Sequence, residues 1–85
     1  AFDAITGQFA WAWDMGRPGD NSEPGEGEIY TRATPNVWSI FSVDEERGLV
    51  FAPLGNETPD YFGGQRLDVS EEFASSVVAL NGETG

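Results

Sequence analysis

Between Thr34 and Asp60 the chain reads TPNVWSIFSVDEERGLVFAPLGNETPD, and the groups that could do chemistry stand at the two ends of that stretch. Near the start is Trp38, a large flat π surface, with Asn36 two residues earlier and therefore on the same side of an extended strand. At the far end Asn56 and Thr58 supply an amide and a hydroxyl, and Pro59 stiffens the approach to Thr58. A rigid aromatic face with amides and a hydroxyl around it can hold a flat, polar ligand. The same residues also suit plainer duties: Trp38 a strand core, Asn36 a cap or turn after Pro35, Asn56 a Gly-Asn turn.

The absent residue types narrow the chemistry. Cys, His and Lys do not occur, and the four cations are Arg17, Arg32, Arg47 and Arg66. That removes disulfides, thiolate and imidazole metal sites, His-based triads, Schiff-base lysines and the phosphate-loop lysine. Any acid or base in the chain is a carboxylate. Fifteen Asp and Glu against four Arg give a formal net charge of -11, which repels phosphate backbones, so nucleic acid is not expected as a partner. Arg17, Arg32 and Arg66 are read as local charge neutralisers, and Asp44-Glu45-Glu46 as a solvated turn whose carboxylates fan outward. No apolar run approaches the roughly 20 residues that span a bilayer, and AFDAITG lacks the regions of a signal peptide.

The elements that must position these groups are strands. QFAWAWD, residues 8–14, alternates Phe9, Trp11 and Trp13 with smaller or polar residues and predicts a strand whose aromatic side packs on something large. Asp3 to Gly7 ahead of it predicts a hairpin turn with Gly at positive φ. Met15 to Gly27 concentrates Gly, Pro and acids into a loop. Val37–Val43 and Leu49–Leu54 predict two strands joined by Asp44-Glu45-Glu46-Arg47-Gly48, with Pro53 at a strand end or edge. A second loop runs from Gly55 to about Phe73, with at most one helical turn over Val69–Ala74, and Ser75–Leu80 predicts the last strand.

The two ends of the chain resemble each other. Ala1-Phe2-Asp3-Ala4-Ile5-Thr6-Gly7 and Ala79-Leu80-Asn81-Gly82-Glu83-Thr84-Gly85 share Ala, an apolar residue, Asp or Asn, and a closing Thr-Gly at an offset of 78 residues. The first copy leads into an aromatic strand and the second ends the chain. The expectation is an all-β piece cut at a repeat boundary: the last strand of one unit over residues 8–14, then three strands of the next.

AFDAITGQFAWAWD resembles the tryptophan-docking motif of the eight-bladed propeller quinoproteins, in which Ala, Asp, Thr-Gly and Trp lock adjacent blades together. TPNVW, LGNETPD and FGGQR in that order, continuing to SSVVALNGETG, are similar to the membrane-bound glucose and quinate dehydrogenases that depend on pyrroloquinoline quinone. The resemblance covers nearly the whole chain and implies that residues 1–85 are a fragment of such a propeller, about one four-stranded antiparallel blade with long loops.

What the resemblance implies for the residues is specific. Trp38 matches the tryptophan that floors the quinone; Asn36 and Thr58 match its rim; Asn56 matches an asparagine that ligates calcium in related alcohol-oxidising quinoproteins. It implies pyrroloquinoline quinone with Mg or Ca as cofactors, a sugar or polyol as substrate, and ubiquinone as electron acceptor. D-glucose oxidised to gluconolactone at the periplasmic face of the inner membrane is the implied activity of the parent. The family's catalytic base, an aspartate in a His-Asp-rich motif, falls beyond Gly85, so no catalytic residue is assigned here. Two alternatives stand beside it: a non-catalytic propeller scaffold, and a free-standing carbohydrate-binding β module using Trp11, Trp13 and Trp38. The open sheet edges predict that an isolated 85-residue piece folds poorly.

Overall fold

The computed structural model describes residues 1–85 throughout. Its regular core is a three-stranded antiparallel sheet in the order β1-β2-β3, from β1 (Ser42–Asp44), β2 (Leu49–Pro53) and β3 (Val77–Asn81). Ser42, Val43 and Asp44 pair with Phe51, Val50 and Leu49, and β2 runs against β3 from Leu49↔Asn81 to Pro53↔Val77. Pro53 closes β2, where its missing N–H interrupts nothing further. The β1–β2 turn is held by Asp44, which accepts the Arg47 N–H at 3.0 Å and the Arg47 guanidinium at 2.7 Å, while Gly48 adopts φ +63°.

Three expectations are corrected. Residues 8–14 form no strand; they bridge at Phe2↔Phe9, and the backbone bonds Asp3 N–H to Gln8 O and Ala10 N–H to Ala1 O complete a short hairpin. Alternation gives the segment a strand's side-chain pattern, but a ladder needs a continuous partner, and Ala1 to Asp3 with a single bond from Ala12 N–H to Asn21 O do not make one. The first strand begins at Ser42 rather than Val37, because residues 34–38 exchange single bonds with the loop after β2 instead of forming a ladder. The second long loop contains a helix, α1 (Asp68–Phe73), capped at Leu67.

Segment 8–14 nevertheless packs on the sheet through its aromatic side. Trp11 and Trp13 enclose a wholly apolar cavity of about 340 Å³ with Val37, Phe41, Val50, Ala52 and Leu80, and Trp13 meets Phe73 edge-on at 5.2 Å. The buried hydrophobic core is small: Ala52, Leu54 and Leu80. Ile5, Ile40 and Tyr61 lie open to solvent instead. No helix is long and apolar enough to cross a membrane.

The paired chain ends take the same fold. Asp3 Oδ1 accepts the N–H groups of Ile5 and Thr6, and Asn81 Oδ1 accepts those of Glu83 and Thr84. Gly7 N–H bonds Asp3 O at 2.9 Å and Gly85 N–H bonds Asn81 O at 2.8 Å, with φ of +70° and +75°. Two sequences 78 residues apart therefore build one turn, each closed by a Gly in the left-handed region.

The long acidic loop is organised by Asp14, which is 6% exposed. Its carboxylate accepts the N–H of Thr31 at 2.7 Å and of Gly16 at 3.0 Å and faces Arg17. Burial pushes this carboxyl up, but the Thr31 N–H and hydroxyl, the Gly16 N–H and Arg17 together outweigh it and hold the group below its ordinary value. Arg17 also approaches Asp20 and Glu28, which fulfils the charge-neutralising duty expected of it.

Candidate functional site

Two segments of the chain face each other across a cavity of about 260 Å³. Thr34, Asn36 and Trp38 line it from one side, and Gly55, Asn56, Thr58 and Asp60 from the other. Positions alternate along 34–38, as extended backbone requires, whereas on the other segment Gly55 and Asn56 both line the cavity and the chain bends over 58–60. Pro35 and Glu57, on the opposite faces, are buried. The segments are tied directly: Gly55 N–H donates to Asn36 O at 2.9 Å, and Thr58 N–H donates to the Thr34 hydroxyl oxygen at 2.7 Å.

All four residues singled out in the sequence, Asn36, Trp38, Asn56 and Thr58, thus meet at one cavity. Trp38 is 86% exposed, so its indole is a free surface and not a strand core. Its Nε1 edge rests over Gly55, where an added Cβ would lie 3.0 Å away. The Asn36 amide donates to Thr34 O at 3.1 Å, a turn-like bond that leaves its carbonyl oxygen without a protein partner. Asn56 donates to Asp60 O at 2.9 Å and accepts the Glu57 N–H at 3.0 Å, which keeps one lone pair of its Oδ1 for another group.

Thr34, Gly55 and Asp60 are the lining residues that sequence reasoning left without a role. Continuing the alternation of Asn36 and Trp38 back by two positions reaches Thr34, so its signal was present; Asp60 follows a bend over 58–60 and has no such signal. Asp60 is the one ionisable side chain on the wall. Arg66, read from the sequence as a local charge neutraliser, instead donates to the backbone carbonyl of Asp60 at 3.1 Å.

The wall fits a planar, polar heterocycle: one exposed indole face, amides and hydroxyls around it, and a volume just below the common range of about 300 Å³ and upward for small-molecule sites. It does not complete a cation site. No group of three or more His, Cys, Asp or Glu is placed to hold a metal, and Asn56 Oδ1 contributes one oxygen where Ca²⁺ takes about six to eight.

Comparison with known proteins agrees with this architecture. The family model described as PQQ glucose/ethanol/alcohol dehydrogenase, β-propeller domain, matches residues 1–85. The glycerol dehydrogenase large subunit of Gluconobacter thailandicus is 42% identical over 84 residues, covering 99% of this chain and 11% of that protein. The quinoprotein glucose dehydrogenase of Escherichia coli (strain K12) is 40% identical over 84 residues, covering 99% of this chain and 11% of that protein. The quinate/shikimate dehydrogenase (quinone) of Acinetobacter baylyi (strain ATCC 33305 / BD413 / ADP1) is 39% identical over 85 residues, covering all of this chain and 10% of that protein. The chain therefore spans about a tenth of the length of these relatives. No solved structure matches. With a match across its whole length and relatives that bear quinoprotein names, the chain belongs to the β-propeller domain family of the PQQ-dependent glucose, ethanol and alcohol dehydrogenases.

Proposed function

We propose that residues 1–85 form one wall of the quinone pocket in a PQQ-dependent dehydrogenase that oxidises glucose or a similar sugar or polyol. The carrying observation is the convergence of the exposed Trp38 indole with Asn36, Asn56 and Thr58 on one cavity. Trp38 would stack under the ring system, Asn36 and Thr58 would hydrogen-bond its rim, and Asn56 Oδ1 would offer one oxygen to a Mg or Ca ion. The bound quinone supplies the two-electron acceptor for alcohol oxidation. The proton acceptor is assigned outside residues 1–85, and no residue here is given a catalytic role.

In this proposal the parent converts D-glucose to gluconolactone and passes electrons to ubiquinone at the periplasmic face of the inner membrane. The relatives' names also admit glycerol and quinate or shikimate as substrates. The three-stranded sheet is the first part of a four-stranded blade of an eight-bladed propeller, and segment 8–14, which forms no ladder here, joins the preceding blade in the parent. The twin turns and the seating of Trp11 on the sheet support that assignment. Those features alone also support the second reading, a non-catalytic propeller scaffold; the open Trp38 cavity favours the dehydrogenase.

The test is a fluorescence titration of the full-length apoprotein carrying these residues with pyrroloquinoline quinone, with Mg²⁺ or Ca²⁺ present. Saturable quenching of tryptophan emission is expected. A flat titration in both metals overturns the cofactor assignment and leaves the scaffold.

A further inference from the structure

Glu57 stands between two cavity residues, Asn56 and Thr58, yet its side chain turns away from the cavity and is buried, with the residue 6% exposed. A buried carboxylate is costly unless it accepts hydrogen bonds. This one accepts the Leu67 N–H at 3.2 Å and has no cation within ion-pair distance. Leu67 is itself fixed as the cap of α1, because its carbonyl accepts the N–H groups of Ser70 at 2.9 Å and Glu71 at 3.2 Å. Ser70 is completely buried, so that first turn is anchored in the protein. The neighbouring Arg66 donates to Asp60 O at 3.1 Å. Residues 66 and 67 therefore grip both ends of the Glu57–Asp60 segment from behind.

We propose that Glu57 is a positioning residue for the quinone pocket: by holding Leu67 N–H, it clamps the Asn56–Thr58 rim to α1. The proposal rests on the quinone assignment above for its ligand, but the clamp itself is a property of residues 57 and 67. It touches no ligand and acts through Asn56 and Thr58. Their cavity-facing groups need a fixed backbone, because small displacements of hydrogen-bonding groups cost affinity steeply. The required chemistry is that of a side-chain oxygen at this length. Glu57→Gln keeps such an oxygen without the charge, and Glu57→Ala removes it.

Two measurements on the full-length apoprotein separate the possibilities. Hydrogen exchange, read without cofactor, is expected to speed up in Glu57→Ala over residues 56–60 and at Leu67, with β2 and β3 unchanged. Quinone titration is expected to show an affinity about tenfold weaker in Glu57→Ala, with the full quenching amplitude retained, and recovery to within about twofold of wild type in Glu57→Gln. A merely structural role would lower the amplitude, as molecules unfold, and leave the affinity of the folded fraction unchanged. Unchanged affinity in Glu57→Ala, or Glu57→Gln as weak as Glu57→Ala, overturns the proposal. If wild type gives no quinone response, the cofactor assignment fails separately and exchange decides the clamp: unaltered exchange over 56–60 overturns it.

Discussion

The indole Nε1–H of Trp11 donates to the carbonyl of Gly82 at 3.0 Å, joining residues 71 positions apart. Gly82 lies in the turn that repeats Asp3 to Gly7, and an added Cβ at Gly85 would come within 2.8 Å of the Trp11 ring. The tryptophan thus seats on the second turn through its Nε1–H at Gly82 and its six-membered ring beside Gly85. Asn21 reinforces the seat by donating to Thr84 O at 2.7 Å. Trp11→Phe is expected to keep most of the packing and lose the bond, lowering stability by about 1 kcal/mol, which denaturant unfolding will read.

Trp38→Ala should abolish most of the quinone-dependent quenching. Because the side chain is 86% exposed, the same substitution should change folding stability by no more than about 0.5 kcal/mol. Thermal melting beside the titration checks both halves. Undiminished quenching in the variant would remove the stacking role.

Gly55 supports the indole by offering no side chain. A Cβ there would meet Trp38 Nε1 at 3.0 Å and Cδ1 at 3.5 Å, and Gly55 is not at positive φ, so Gly55→Ala brings a local push without backbone strain. The exposed indole can yield, so the fold should survive. The expected outcome is an altered near-ultraviolet circular dichroism signal and a several-fold weaker quinone affinity, of order 1 kcal/mol.

Stability should fall on the acid side. Asp14 sits below its ordinary value of 3.8 in the folded chain, so its contribution is complete above the unfolded value and is lost as pH falls through the lowered folded value. Asp44, lowered chiefly by the Arg47 guanidinium and then by the Arg47 N–H, adds in the same direction. Melting temperature should be nearly level down to about pH 5 and decline below about pH 4. Asp14→Asn, which removes the charge facing Arg17 and weakens acceptance from Thr31 and Gly16, should cost about 1–3 kcal/mol at neutral pH and flatten the acid limb.

Cation dependence should be modest at this wall. If Asn56 is a metal ligand as proposed, Asn56→Ala is expected to weaken the quinone response when Mg²⁺ or Ca²⁺ is limiting and to matter less at saturating metal, because a single amide oxygen would be lost from a larger set. Titration of metal at fixed quinone reads this as a shift in metal midpoint with little change in final amplitude.

By itself the sequence determined the local chemistry and the pairings that local rules dictate. Thr-Gly closures with Asp or Asn three or four residues earlier fixed both turns, since the carboxylate or amide must accept the turn's free N–H groups. Asp44 and Gly48 fixed the β1–β2 hairpin, and the period of two in 34–38 put Asn36 and Trp38 on the face they share. Tertiary structure alone decided the rest. Residues 8–14 carry a strand's alternation without a strand's ladder, because hydrogen-bonded partners come from elsewhere in the fold. The helix α1 was legible only as a single turn over Val69–Ala74, because six residues are too few for a periodic signal and its start at Asp68 is held by Glu57. Whether two polar segments some 20 residues apart meet at a cavity depends on bonds such as Thr58 N–H to Thr34, made only after the intervening hairpin has turned the chain back on itself.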